Sequence, residues 1–397
     1  MRFVFHNPHE LNYYKTPLSF FLEKRKAVSK YSYLFDYFLE TKKTVYVYID
    51  SYKSSVSRKG YRRFLPPLIG FYAWAILNRI NLFHLKVITD IKKIKQEDII
   101  FMFLYGNFTN QDGILPNYRY ELNNLFSQSK AFKVAHLTHY VYNTNIGSTN
   151  SKNANIDLFV AENNLSFNSE FFQKTFDWYK KDTYILPFIP HDKFKRIKEF
   201  DKRKNLVIAT GTITFPINDI EFRSHFGHSK LQPMRSEIYE NSESLLKYID
   251  SIILPINETG NNEVKQEAYF SYDIVELYNN YKMFVVPEEV GGLPGIGFVE
   301  GMMCGSAFIG LNDPMYTDIG LKDGVNYIGY DGTLEDLKYK ITYYQEHQDE
   351  LNMISNNGYN FVSENFKKYE VAEKFVKDVI LQSLNRDADQ NVKGINK

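Results

Sequence analysis

"VVPEEVGGLPGIGFVEGMMCGSAFIG", residues 285–310, decides how this chain is read. An apolar run, "MFVVP", ends at Pro287, and the pair Glu288-Glu289 follows. The turn "EEVGGLPGIG" then passes into "FVEGMMCG", which opens a helix, and "SAFIGL" reads as the next strand. Strand, turn, helix and strand in that order make a βα unit of a parallel sheet. Gly291, Gly292, Gly295 and Gly297 carry no side chain, so backbone amides there can approach a ligand closely. A helix amino terminus presents free N–H groups and partial positive charge, which suits a phosphate. Glu300, about one turn into the helix, can accept both hydroxyls of a ribose, and Glu288 or Glu289 can bind the hydroxyls of a sugar. Diphosphate, ribose and hexose would then be held by one strand–loop–helix unit. A tight turn with close packing is the plainer reading of the same glycines.

The same alternation extends both ways. Upstream, "RFVFH", "TVYVYID", "DIIFMFLYG", "FKVAHLTH", "IDLFVAE" and "TYILPF" read as strands, several separated by helix-like segments. The charged stretch "DKFKRIKEFDKRKN", residues 192–205, reads as a linker. After it, "LVIATG", "DSIILPI", "MFVVPE" and "SAFIGL" alternate with helical segments. Two βα blocks on either side of a linker predict two Rossmann-like, doubly wound parallel-sheet domains facing across a cleft, with ligands beyond the carboxyl ends of strands. The expected division is 1–192 and 203–365, with a crossing helix 366–386 returning to the first domain and a flexible, polar tail 387–397.

Composition bounds the rest. A chain of 397 residues suggests two domains. Its 44% hydrophobic and 24% charged residues are ordinary for a globular protein. A formal net charge of +1 argues against a general nucleic-acid binder. Cys304 is the only cysteine, which excludes an internal disulfide and fits a reducing, cytoplasmic compartment. "FVF" at residues 3–5 is too short for a signal peptide, and "FLPPLIGFYAWAIL", residues 64–77, is shorter than the roughly 20 apolar residues a spanning helix needs. "SYKSSVSRKGYRRFLPPLIGFYAW", residues 51–74, sets five cations and several aromatics before that run. It reads as a loop before a core helix or as a peripheral docking segment for the anionic cytoplasmic face of the inner membrane. Paired-His spacing, an Asp-x-Asp at a strand end and a Ser nucleophile elbow are all missing.

With Pro287, Glu300 and "GMMCG" (301–305) in place, the stretch resembles the donor motif of retaining glycosyltransferases of the GT-B fold, glycosyltransferase family four. That family's motif sets two Glu eight positions apart. Here the position eight before Glu300 is Gly292, with Glu288-Glu289 upstream. "IDLFVAENNLSFNSEFFQKTF", "SAFIGLNDPMYTDIGLKDGVNYIGYDGTLEDL" and "FVSENFKKYEVAEKFVKDVILQ" extend the resemblance over roughly residues 132–384.

The resemblance implies a metal-independent retaining transferase without a cofactor, moving a hexosyl unit from a nucleotide-diphospho-sugar, with uridine the expected base. A glycan or lipid-linked acceptor in bacterial surface polysaccharide (O-antigen or capsule) synthesis is implied with it. It places His139 beside the transferred sugar, and Gly295, Ile296, Gly297, Phe298, Gly211 and Thr212 with Glu288 and Glu300 at the donor. The diphosphate needs cations. "ATGTITFP", residues 209–216, supplies none, so Lys230 and Arg235 of "GHSKLQPMRSEIYEN" are the candidates, with Glu289 gripping the sugar. A non-catalytic sugar-nucleotide-binding assembly partner and a sugar-nucleotide epimerase remain the competing readings.

Overall fold

A computed structural model describes residues 1–6, 32–49, 66–77, 79–102, 126–137, 140–142, 144–214, 216–255 and 273–395. These residues divide into two compact units. The first holds 1–161, 175–186 and the chain from 368 onward, and the second holds 162–174 and 187–367.

The first unit is built on seven parallel strands: β1 (Phe3–His6), β2 (Val45–Tyr48), β3 (Leu85–Ile88), β4 (Ile99–Met102), β5 (Phe132–His136), β6 (Leu158–Ala161) and β7 (Tyr184–Ile185). Their order across the sheet is β3-β2-β1-β4-β5-β6-β7. Every residue of β4, β5 and β6 is buried; β4 and β6 are continuous apolar runs, as expected in a sheet covered on both faces, whereas β5 also buries Lys133 and His136. The sequence reading missed β3. It is a short edge strand with Lys86 exposed, and its local pattern lacks a long apolar run.

The second unit carries five parallel strands: β8 (Lys204–Ile213), β9 (Ile249–Pro255), β10 (Tyr281–Val285), β11 (Ala307–Leu311) and β12 (Ile328–Tyr330). The order β12-β11-β10-β8-β9 places β10 at the centre. The helix Gly297–Met303 follows β10, and its glycines let it lie close. A Cβ on Gly301 would stand 2.3 Å from the Phe284 ring, and one on Gly297 would stand 2.6 Å from Val286.

The last helix, Lys368–Ile395, belongs to the first unit and runs on through residues 387–395, which were expected to form a flexible tail. Phe375 packs on Phe101 and Tyr184, the Tyr184 hydroxyl donates to Asp378 at 2.7 Å, and Arg386 pairs with Asp157 at 3.1 Å. The domain boundary differs from the expected one. Residues 162–174, read as part of the first domain, belong to the second unit. Asn168 donates to Asp318 at 2.7 Å, and Phe171 packs against Phe222 and Phe226. The expected linker is also folded into the second unit. Arg203, buried there, donates to the carbonyls of Lys198, Cys304 and Gly305, which fixes the chain before β8 to the end of the helix Gly297–Met303.

Candidate functional site

The carboxyl edge of the second sheet collects the charged residues that matter. Arg235 sits on the helix Pro233–Glu240 and is buried. Its Nε donates to the Pro287 carbonyl at 2.6 Å and its Nη1 to the Thr212 carbonyl at 3.0 Å. Gly211 makes room for this. Its φ is +134°, and a Cβ there would stand 2.9 Å from Arg235 Nε. Gly211, Thr212 and Arg235 therefore join the end of β8 to Pro287, two residues past β10. This gives Arg235 a positioning role at the sheet edge that its sequence position alone does not reveal.

Glu288 is 5% exposed. Its Oε1 accepts the Leu311 N–H at 3.2 Å, while Oε2 has no hydrogen-bond partner within 3.5 Å. The Tyr316 hydroxyl is likewise without one at that distance, but Tyr316 and Tyr330 both act on the carboxylate as hydrogen-bonding neighbours. Burial pushes the Glu288 carboxyl up, against the pull of Tyr316, the backbone N–H groups of Glu288 and Leu311, and the Arg235 charge. The same carboxylate and burial hold the Tyr316 hydroxyl well above its usual range.

Glu289 is held differently. Gln232, almost fully buried, donates from Nε2 to Glu289 Oε1 at 3.1 Å. The Gln232 Oε1 in turn accepts from the Thr214 N–H and hydroxyl at 3.1 and 3.0 Å. Glu289 then pairs with Leu293 in an isolated antiparallel bridge that closes the turn, where Gly291 and Gly292 take φ values of +108° and +79°. The Gly292 carbonyl accepts from Asn163 Nδ2 at 3.0 Å. A left-handed backbone favours glycine at 292, and the carboxylates lie upstream of it.

Glu288, Glu289, Gly291 and Gly292 line a cavity of about 460 Å³ together with Asn168–Phe171, His225, Phe226, Pro233, Met234, Glu237, Leu311, Asp313, Met315 and Tyr330. Its size falls within the range of small-molecule sites, about 300–1,000 Å³. The sequence reading missed much of this wall. Glu237 reads as a surface helix residue and Asp313 as a helix cap, and Phe171, His225 and Phe226 form an aromatic group only in space.

The other expected site residues fall elsewhere. Glu300, half-buried, and Gly295, Ile296 and Gly297 are outside the cavity wall. The Phe298 side chain packs into the core on Phe308, Tyr316 and Phe366, and its N–H bonds to the Gly295 carbonyl. Lys230 is 51% exposed and pairs with Glu240 at 3.2 Å. His139 lies outside the described residues.

No protein-family model and no curated protein matches this sequence. Among solved structures it is similar to Anabaena HepE in complex with UDP, at a TM-score of 0.52 and 12% identity, over 96% of this chain and 99% of that one. The complex of HepE with UDP-glucose gives a TM-score of 0.52 at 14% identity over the same shares. TarM is similar at a TM-score of 0.45 and 10% identity over 73% of this chain, which spans 56% of TarM's length. The likeness to HepE, which runs over nearly the whole of both chains, shows a shared GT-B fold.

Proposed function

We propose that this protein is a glycosyltransferase that takes a hexosyl unit from a nucleotide-diphospho-sugar, with UDP-glucose the first donor to try. The observation that carries the reading is the cavity at the carboxyl ends of β10–β12, where Glu288 and Glu289 stand beside a glycine turn. The HepE structures that share the fold were solved with UDP and UDP-glucose, which supports the choice of donor. Transfer proceeds with retention and without a metal, to a glycan or lipid-linked acceptor of a surface polysaccharide. The leaving phosphate takes the acceptor proton, so a protein nucleophile is not required. Glu289, oriented through Gln232, grips the sugar, Arg235 supplies positive charge at the sheet edge, and Glu300 holds the ribose.

Incubation with UDP-glucose and mixed glycan acceptors, followed by NMR of the product's anomeric proton, tests the reaction. An inverted product or a complete dependence on divalent metal refutes the retaining, metal-independent mechanism. Glu300→Gln should weaken free UDP by about 1.5–3 kcal/mol in calorimetry, as loss of a charged hydrogen-bond partner does. Unchanged affinity removes the ribose role.

The acceptor reading extends to the membrane surface, although residues 51–65 of the expected docking stretch lie outside the described residues. Among the described residues no helix is long and apolar enough to cross a membrane. In the first unit, Ile76 (62% exposed) and Phe83 (93%) stand in solvent within a stretch that also exposes Arg79 and Lys86. Apolar anchors among cations suit an anionic lipid surface. Co-sedimentation with vesicles containing phosphatidylglycerol should fall severalfold in Phe83→Asp, and equal binding of both proteins counts against this surface.

A further inference from the structure

The turn that carries Glu289 is tied to the end of β8 through one side chain. Gln232 is 1% exposed and is not on the cavity wall, whereas Pro233 and Met234 beside it are. Its amide spans two segments. Oε1 accepts from the N–H and the hydroxyl of Thr214, the residue after β8, at 3.1 and 3.0 Å, and Nε2 donates to Glu289 Oε1 at 3.1 Å. The backbone repeats the link, with the Val290 N–H donating to the Leu231 carbonyl at 2.8 Å. Chemistry fixes the direction of the amide. A backbone N–H can only donate, so the carbonyl end of Gln232 faces Thr214 and the NH2 end faces Glu289. The Glu289 carboxylate is thereby held as an acceptor, in one orientation, on the wall of the cavity. Packing alone does not call for this residue, since Leu or Met fills a similar volume without a buried amide to satisfy.

Resting on the nucleotide-sugar reading above, we infer that Gln232 is a positioning residue that couples the two halves of donor recognition. The end of β8, where Gly211 and Thr212 are expected at the nucleotide, and Glu289, proposed on the sugar, are set by the same buried amide. Sugar and nucleotide are then recognised as one ligand. The Glu289 carboxylate is in place for a sugar hydroxyl only while Thr214 holds the amide. Gln232, away from the wall, acts through Glu289 and not on the donor itself. Arg235 holds the Thr212 carbonyl independently, so the end of β8 keeps its place without the amide. Loss of Gln232 therefore removes affinity that depends on the sugar and spares affinity for the nucleotide.

Calorimetric titration of the full-length protein with UDP and UDP-glucose, with a melting curve for each variant, tests the inference. Gln232→Glu is nearly equal in size but cannot donate to Glu289. It should weaken UDP-glucose about tenfold, as loss of a charged hydrogen bond does, and leave UDP within about twofold of wild type. Combining it with Glu289→Gln exchanges amide and carboxylate, so the hydrogen bond can form again. That pair should regain the wild-type melting temperature without regaining UDP-glucose affinity, because the carboxylate has left the wall. Recovery of stability and affinity together would show that Gln232 serves the fold alone. Equal effects on UDP and UDP-glucose, or none, in folded Gln232→Glu overturn the coupling while leaving the nucleotide-sugar reading intact. If that variant does not fold, Thr214→Val, which removes the hydroxyl bond to Gln232, should weaken UDP-glucose more than UDP, and equal effects overturn the inference. If neither ligand binds the wild type, the nucleotide-sugar reading falls and this inference falls with it.

Discussion

At Gly291 and Gly292 the backbone turns through φ values of +108° and +79°, and a Cβ on Gly292 would meet nothing closer than 3.6 Å. A few residues on, at Gly297 and Gly301, the constraint is of another kind. A Cβ would stand 2.6 Å from Val286 and 2.3 Å from Phe284. One glycine-rich stretch therefore does two jobs. Its first half needs glycine for a left-handed turn that sets Glu288 and Glu289 on the cavity. Its second half needs glycine so that a helix can lie directly on the central strand. Glycine count alone cannot separate the two, because both demand the absence of a Cβ.

Substitution can break or sharpen that distinction. The largest effect is expected at Gly301→Ala. Alanine favours a helix by about 1 kcal/mol over glycine, but the methyl group is driven into a buried ring held by Tyr278 and Phe308. Overpacking of a core costs about 1–3 kcal/mol or more, and the net outcome should be a loss of about 2 kcal/mol in urea unfolding. A neutral or stabilising result would mean that the helix shifts away from β10 without cost.

Gly292→Ala should be milder in stability, at about 1–2 kcal/mol for an alanine held left-handed. Its larger consequence should be weaker UDP-glucose binding, because the turn that positions Glu289 is strained. Equal loss of stability at 292 and 301 with unchanged ligand affinity would erase the division between the halves.

The smallest expected effect is a change of slope. Burial raises the Glu288 carboxyl above its ordinary value of 4.5. The folded state thus holds this proton to higher pH than the unfolded chain does, and the related stability is present below pH 4.5 and lost as pH rises through the raised value. Glu288→Gln removes the titration, so its stability relative to wild type should increase as pH rises through that window, by chemical unfolding at a series of pH values. A constant difference across the window would show that Glu288 is not buried as an acid.

Much of the second sheet was legible because its strands are buried runs of Val, Ile, Phe and Met bounded by turn residues. "LVIATG", "DSIILPI", "MFVVP" and "SAFIGL" fall on β8, β9, β10 and β11. β12 was not, since Ile328–Tyr330 is three residues long and carries too little pattern. Glu288 and Glu289 were legible as site candidates because carboxylates at a strand end beside glycines are chemically conspicuous. Gln232 was not, because its bond to Glu289 spans 57 positions.

By itself the sequence determined what is local: which segments alternate as strand and helix, where the chain must turn, and which carboxylates end a strand. Only the tertiary structure decided which of those residues meet. It placed 162–174 with the second unit, and set Arg235 against Gly211, Pro287 and Thr212 while leaving Lys230 on the surface. It also brought Glu170, Glu237 and Asp313 to the same cavity as Glu288 and Glu289. The physical reason is range. Periodicity and turn chemistry act over a few residues, whereas burial and convergence of charge depend on partners that the chain delivers from a hundred positions away.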